Sequence, residues 1–258
     1  MININQVCFS YGKTPVLHNI DLLVQEGEMV ALLGPNGSGK TTLIKLLSGV
    51  LRPTAGDIHL NGSTLGRMKR KQIAQCVAVV PQQFSMPFAF NLREVVLLGR
   101  TPFLSLFSDE GEQDRRVVEQ AIELIGLQSL KDRFFNELSG GERQKAILAM
   151  ALAQEPKVLL LDEPTAHLDI NHQVEILDLV KRLNREQGVT VIAAMHDLNL
   201  AAIYFDRLIL LKEGRIFTDG NPETLLTAQT IEEVFATSVH VTQHPITKSP
   251  HVVIIPRL

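Results

Sequence analysis

The sequence predicts an α/β fold. A parallel sheet of buried strands forms its centre, with a small antiparallel sheet ahead of it and a mostly helical insert within it. Three observations predict this. Apolar runs of buried-strand length recur at Met29-Val30-Ala31-Leu32-Leu33, Val77-Ala78-Val79-Val80, Val158-Leu159-Leu160-Leu161 and residues 189–195. Between the second and third runs, residues 84–157 lack β-branched stretches and carry helical spacing instead. The first run leads into Gly34-Pro35-Asn36-Gly37-Ser38-Gly39-Lys40-Thr41-Thr42, which fits the phosphate-loop pattern G-x-x-x-x-G-K-[ST]. That pattern needs a strand before it and a helix after it, and Leu43, Ile44, Leu46 and Leu47 supply the helical spacing.

Composition sets the outer bounds. The chain has 258 residues, enough for one large domain or two small ones sharing a core. Its formal net charge of −3 gives no bulk attraction to nucleic acid or anionic lipid. The one dense basic tract, Arg67-Met68-Lys69-Arg70-Lys71, reads as a solvated helix face. Two cysteines, Cys8 and Cys76, have no metal-ligand spacing and suit a reducing compartment. No signal peptide is evident at Met1-Ile2-Asn3-Ile4-Asn5, and no stretch approaches the ~20 apolar residues of a membrane span. The expectation is a cytosolic protein without internal repeats.

The first thirty residues alternate and turn. Val7, Phe9 and Tyr11 mark one strand and Leu22 to Val24 another, leading into the buried strand at 29–33. Tyr11 is either a core ring or a stacking platform for a base. At the phosphate loop, Gly34, Gly37 and Gly39 let backbone N–H groups approach phosphate oxygens, and the helix N-terminus adds partial positive charge. Lys40 can reach the β- and γ-phosphates, and the Thr41 hydroxyl can ligate Mg²⁺. Asp57 to Leu60 then reads as a short strand before an Asn61-Gly62 hairpin turn.

After the second apolar run comes Gln82, a plain cap or a ligand at the strand ends. Phe84, Met86, Phe88 and Phe90 crowd a loop around Pro87, as satellite core or docking surface. Helices follow over 92–98 and around Val117 to Ile125. Ser139-Gly140-Gly141-Glu142 opens another, with Ser139 and Glu142 spelling a capping box. Two glycines at a bare helix N-terminus also suit a second anion site.

The third run ends in Asp162-Glu163. Two carboxylates at the end of so apolar a strand are costly without a cation or hydrogen bonds. A structural N-cap explains one of them, whereas a Mg²⁺ ligand plus a general base explains both. Asp169 caps a helix whose inner face is Ile170, Val174, Leu177, Val180 and Leu183. The fourth run ends in His196-Asp197. Leu208 to Leu211 and Arg215 to Phe217 make a hairpin, and the remainder is a closing appendage. In open parallel sheets ligands bind outside the carboxyl ends of the strands. If the four runs are neighbours, Lys40 with Thr41, Gln82, Asp162 with Glu163, and His196 converge on one site built for ATP hydrolysis.

The chain as a whole resembles the ATP-binding subunits of ABC transporters. Gly34 to Thr42 matches the Walker A loop, Val158 to Glu163 the Walker B strand, and Leu138-Ser139-Gly140-Gly141-Glu142 the signature, with Glu142 for the usual Gln. Gln82 matches the Q-loop, Ala166-His167-Leu168-Asp169 the D-loop, His196 the switch histidine and Tyr11 the adenine-stacking aromatic. Within the superfamily, Leu98-Gly99-Arg100-Thr101-Pro102, Leu138 to Gln144, Asp162 to Ile170 and His244-Pro245-Ile246-Thr247 are most similar to subunits that energise uptake of iron-siderophores, haem and cobalamin. Importers of molybdate or other metals share much of this pattern, and non-transport ABC ATPases are the more distant alternative.

The resemblance implies a RecA-like P-loop NTPase core with an N-terminal β-subdomain, over 1–83 and 158–258, and an inserted helical subdomain over 84–157. It implies ATP and Mg²⁺ as cofactors, with Thr41, Gln82 and Asp162 around the cation. Glu163 would polarise the attacking water and His196 would contact the γ-phosphate. Two cassettes would pair head to tail, each nucleotide meeting Walker A of one chain and Ser139 to Glu142 of the other. The dimer would sit under an integral membrane permease dimer, on the cytoplasmic side of the membrane, and meet a substrate-binding protein only through that permease. The aromatic loop and Gly99-Arg100 would lie where the permease docks. No nucleic-acid partner is implied.

Overall fold

The computed structural model describes residues 1–86, 88–104 and 110–256. Pro87, the centre of the aromatic loop, lies outside the described residues. Twelve strands and nine α-helices form among those described. Strands β1 (Ile2–Tyr11), β2 (Thr14–Val24), β4 (Ala55–Leu60) and β5 (Ser63–Thr64) make an antiparallel sheet in the order β2-β1-β4-β5. The central sheet holds β3 (Met29–Leu33), β6 (Val77–Val80), β7 (Val158–Asp162), β8 (Thr190–Ala194), β9 (Arg207–Lys212) and β10 (Arg215–Gly220), ordered β10-β9-β3-β8-β7-β6. All its pairings are parallel except the edge hairpin β9–β10. A C-terminal hairpin joins β11 (Val239–Gln243) to β12 (Pro250–Ile254).

The helices are α1 (Lys40–Leu47), α2 (Arg70–Ala74), α3 (Leu92–Leu97), α4 (Glu112–Leu124), α5 (Gly140–Leu152), α6 (Ile170–Gln187), α7 (Leu198–Tyr204), α8 (Pro222–Leu225) and α9 (Ala228–Phe235). Residues 84–157 hold α3, α4 and α5 and no strand among the described residues.

The central strands read as unbroken apolar runs because both sheet faces are covered. Successive side chains point to opposite faces. On one face Val30, Leu32, Leu160 and Ile192 pack with Leu43, Ile44 and the inward residues of the antiparallel sheet. On the other, Ala31, Leu33, Leu159 and Leu161 pack with α3, α4, α5 and α6 in one continuous cluster.

The N-terminal strands form the expected small antiparallel sheet, and Gly27, with φ +77°, turns the chain out of it into β3, which pairs with β8 and β9. Two expectations need correction. Ile170 is not on the inner face of α6: it is 79% exposed, one residue past the cap, and the inner face is Ile176, Leu177, Leu179, Val180 and Leu183. Gly99-Arg100 is no docking surface. A Cβ on Gly99 would stand 2.0 Å from the Met150 carbonyl oxygen, and Arg100 is buried. The pair packs the end of α3 against α5 within the insert rather than facing outward.

Candidate active site

The parallel order β3-β8-β7-β6 places the four apolar runs side by side, so their C-terminal ends form one ledge. Each end carries polar groups. After β3 the chain makes a glycine turn into α1. Gly34 has φ +148°, and a Cβ there would stand 2.2 Å from the Leu211 carbonyl oxygen. Gly39 has φ +104° and lies against Leu17. Both positions exclude an ordinary side chain.

Helix α1 has no side-chain cap, and its first ring-closing bond runs from Leu43 N to Gly39 O at 2.9 Å. The N–H groups ahead of Leu43 therefore have no helical carbonyl to meet. The Ser38 hydroxyl is buried beside them without a hydrogen-bond partner. Orphan donors and an orphan hydroxyl at a positive helix end are what a phosphate satisfies.

The Lys40 ammonium is buried and donates to Gly34 O at 2.7 Å and Pro35 O at 3.2 Å. Burial lowers its pKa, and the charges of Glu163 and Asp162 oppose that shift. Thr41 Oγ1 donates to Asp162 Oδ1 at 3.0 Å, which fastens the start of α1 to the end of β7. Burial raises the Asp162 pKa, and the Thr41 hydrogen bond pulls against it.

Glu163 follows in a left-handed backbone conformation, φ +54°, with its N–H bonded to Ala194 O at 3.1 Å. This turn aims its carboxylate between the ends of β6 and β8. Gln82 Nε2 donates to Glu163 Oε2 at 2.5 Å, and His196 Nε2 is hydrogen-bonded to Oε1. The structure thus brings together Lys40, Thr41, Asp162, Glu163, Gln82 and His196.

A second cluster stands apart. Ser139 caps α5: its hydroxyl accepts from Glu142 N at 3.3 Å, and Ser139 N donates to Glu142 Oε2 at 2.7 Å. The bond from the Ser139 backbone N–H, and after it the Ser139 hydroxyl, hold the Glu142 carboxyl below its ordinary range. Ser139 and Gly140 are exposed. No hydrogen bond or ion pair among the described residues joins Ser139, Gly140, Gly141 or Glu142 to the loop at 34–42. Asp169 caps α6 and sits with this second cluster through His172. Tyr11 ends β1 at 48% exposure, its ring edge-on to Phe9 at 4.8 Å, so it is not a core ring.

Sequence reasoning missed two residues here. His172 packs its ring over Gly141, and Gln173 donates to Leu168 O at 3.0 Å and Thr165 O at 3.3 Å. Their places three and four residues past the Asp169 cap, in the first turn of a helix, were the available signal.

Comparison with known proteins agrees with this geometry. The ABC transporter family profile matches residues 17–166. The petrobactin import ATP-binding protein FpuC of Bacillus anthracis is 40% identical over 243 residues, covering 94% of this chain and 89% of that protein. The ABC transporter ATP-binding protein YvrA of Bacillus subtilis is 42% identical over 247 residues, but the chain spans only 56% of its length. Among solved structures, an ABC transporter classed as metal-chelate type, in an inward-facing conformation, superposes with a TM-score of 0.86 at 30% identity. That match covers 100% of this chain and 97% of that one. The ATP-binding cassette MJ0796, solved as a dimer with ADP and Pi, gives a TM-score of 0.74 at 29% identity, covering 86% and 98%. The chain belongs to the ABC transporter family, as one of its ATP-hydrolysing cassettes.

Proposed function

We propose that this cassette energises an importer of metal chelates, with an iron-siderophore, haem or cobalamin as cargo. Two copies pair head to tail and drive an integral membrane permease dimer from the cytoplasmic side. The observation that carries this is the ledge itself: six groups meet at the ends of four adjoining parallel strands, while Ser139 and Gly140 face outward elsewhere. An exposed helix N-terminus of that kind suits a nucleotide held by a second chain. The petrobactin importer subunit and the metal-chelate transporter support the cargo class. No helix among the described residues is long and apolar enough to cross a membrane. The permease is a separate chain in this reading.

Residues 84–157 are then the inserted helical subdomain and 1–83 with 158–258 the RecA-like core. Backbone N–H groups at 34–42 and Lys40 hold the nucleotide phosphates, and Tyr11 stacks on the adenine. Mg²⁺, when bound, neutralises charge on the β- and γ-phosphates. The Thr41 hydroxyl, the Asp162 carboxylate and the Gln82 amide oxygen form the hard-oxygen set such a cation takes. Among the described residues no cluster of three or more His, Cys, Asp or Glu forms a metal cage, and Mg²⁺ needs none when phosphates supply ligands. Glu163 takes the proton of the attacking water, and His196 faces the γ-phosphate.

Two experiments test the reading. Mixing a Lys40→Ala chain with a Ser139→Arg chain leaves one intact shared site in the mixed dimer, so ATP-dependent pairing, absent from either chain alone, should return. No return sinks the head-to-tail arrangement. A strain whose only copy carries Glu163→Gln should lose uptake of one metal chelate among radiolabelled ferric siderophores, haem and cobalamin. Normal uptake of all of these, or loss of molybdate uptake instead, refutes the cargo class.

A further inference from the structure

Gly141 leaves no room for a side chain. A Cβ built on it would stand 2.2 Å from Cδ2 of His172 and 2.6 Å from its Cγ and Nε2. His172 lies in the first turn of α6, and its ring is held from the other side. Asp169 accepts from His172 N at 2.9 Å, and both Asp169 carboxylate oxygens lie 2.9 Å from His172 Nδ1. A planar ring gripped on both sides cannot turn away from either neighbour.

The segment before Asp169 is tied as well. Ala166 N donates to Glu163 O at 3.1 Å, His167 makes a left-handed turn at φ +61°, and Gln173 bonds the carbonyls of Thr165 and Leu168. Further along, Lys145 of α5 and Glu175 of α6 form an ion pair at 2.5 Å that keeps the two helices side by side. Glu163 is thus joined, by short hydrogen-bonded turns, to the residue that fills the notch over Gly141.

We propose that His172 is a positioning residue: it sets the N-terminal turn of α5 from the 163–169 segment, so that a shift of that segment moves Ser139 to Gly141 of the same chain. In a head-to-tail pair those residues belong to the other nucleotide's site, so the ring links the base of one site to the anion contact of the next. This rests on the shared-site reading proposed above. A misplacement of about 1 Å at such a contact costs roughly 10²-fold in rate.

The test is a double-mutant cycle on the purified full chain, reading ATPase rate and binding of a fluorescent ATP analogue. His172→Ala should lower kcat about tenfold or more while analogue binding by the chain's own loop stays unchanged. Gly141→Ala should cost roughly 10²-fold in the wild-type background, where its methyl group meets the ring. In the His172→Ala background it should cost at least about tenfold less than that, because the ring is gone and only the methyl group's own effect at the anion contact remains. Equal damage in both backgrounds overturns the proposal, as does a His172→Ala chain with the wild-type kcat. If Gly141→Ala alone loses analogue binding, the double variant must regain it, and failure to do so also overturns the proposal. The mixing of Lys40→Ala and Ser139→Arg chains stands separately: its failure would sink the shared site, whereas the measured coupling between His172 and Gly141 would still hold within one chain.

Discussion

His196 Nε2 and Glu163 Oε1 share a hydrogen bond across the ends of two neighbouring strands, β8 and β7. The other oxygen of the same carboxylate accepts from Gln82, at the end of β6. Three strand ends therefore fix one side chain. Hydrogen bonds to a charged group contribute about 1.5–3 kcal/mol each, enough to hold the carboxylate plane against its own rotation. Such a carboxylate keeps free lone pairs for a proton and does not wander.

Glu163→Gln keeps the length and shape of the side chain and removes its capacity to take a proton. Its amide oxygen can still accept from Gln82 Nε2, and its NH₂ group can donate to His196 Nε2 in the tautomer that accepts there. ATP turnover should fall about 10²–10⁴-fold, the usual worth of a general base. ATP binding should persist, since Lys40, Thr41 and Asp162 are untouched. With one negative charge fewer near the γ-phosphate, the variant should shift to a dimer on gel filtration with ATP and Mg²⁺ but not with ADP. Turnover at the wild-type rate would show that Glu163 is not the base.

Gly34 and Gly37 both have positive φ but differ in surroundings. At Gly34 a Cβ would strike the Leu211 carbonyl oxygen, whereas at Gly37 it would meet nothing within 4 Å. Gly37→Ala should cost only the left-handed strain of an L-residue, about 1–2 kcal/mol. Gly34→Ala must also push β9 away from the loop, and should cost clearly more. Urea unfolding of the two variants checks the order, and equal losses would mean the close approach carries no weight.

How much of this was legible in the sequence depends on the distance over which each feature is decided. The four central strands were legible because burial on both faces leaves a continuous apolar run. Their ends were legible because Gln82, Asp162, Glu163 and His196 break those runs abruptly. Ile170 was misread because at the first residue past a cap the helical pattern does not say which side faces the core. Arg100 was misread because its partners, Asp114 in α4 and Ala153 and Glu155 at and after the C-terminal cap of α5, are distant in sequence and no local period connects them. His172 was missed for the same reason: its contact with Gly141 joins two helices through a space seen only after packing.

The aromatic loop is divided in its burial. Phe84, Met86 and Phe90 pack on the core, Phe84 edge-on to Phe135 at 5.7 Å, while Phe88 is 68% exposed. Phe88→Glu should therefore leave stability within about 0.5 kcal/mol, the usual limit for surface changes. It should weaken retention of the permease on the tagged cassette. Phe90→Glu drives a charge toward apolar neighbours and should cost about 2 kcal/mol or more in urea unfolding. Equal stability of the two variants would contradict the division. Full permease retention by Phe88→Glu would remove the docking role.

The last prediction concerns Arg100 and acid. Its buried guanidinium donates to Asp114 Oδ1 at 2.9 Å, Ala153 O at 2.8 Å and Glu155 Oε2 at 2.7 Å, and lies 4.0 Å over the Phe103 ring. It thereby ties the end of α3 to the start of α4 and the C-terminal cap of α5. Arg100→Met leaves the part-buried Asp114 carboxylate and the Ala153 carbonyl without this donor, and losing hydrogen bonds to a charged group in this way costs about 1.5–3 kcal/mol. Arg100→Lys should recover only part, because an ammonium cannot reproduce the planar fork. The hydrogen bond from Arg100, followed by that from the Gly111 N–H, lowers the Asp114 pKa below its ordinary value of 3.8. A lowered folded-state pKa gives stability that is complete above the unfolded value and is lost as pH falls through the folded one. The advantage of the wild type over Asp114→Asn should therefore be constant from neutral pH down to about 5, then shrink below about pH 4. Urea midpoints measured across that range decide it: an advantage that grows as the solution is acidified would mean that the charged form of Asp114 does not carry this contact.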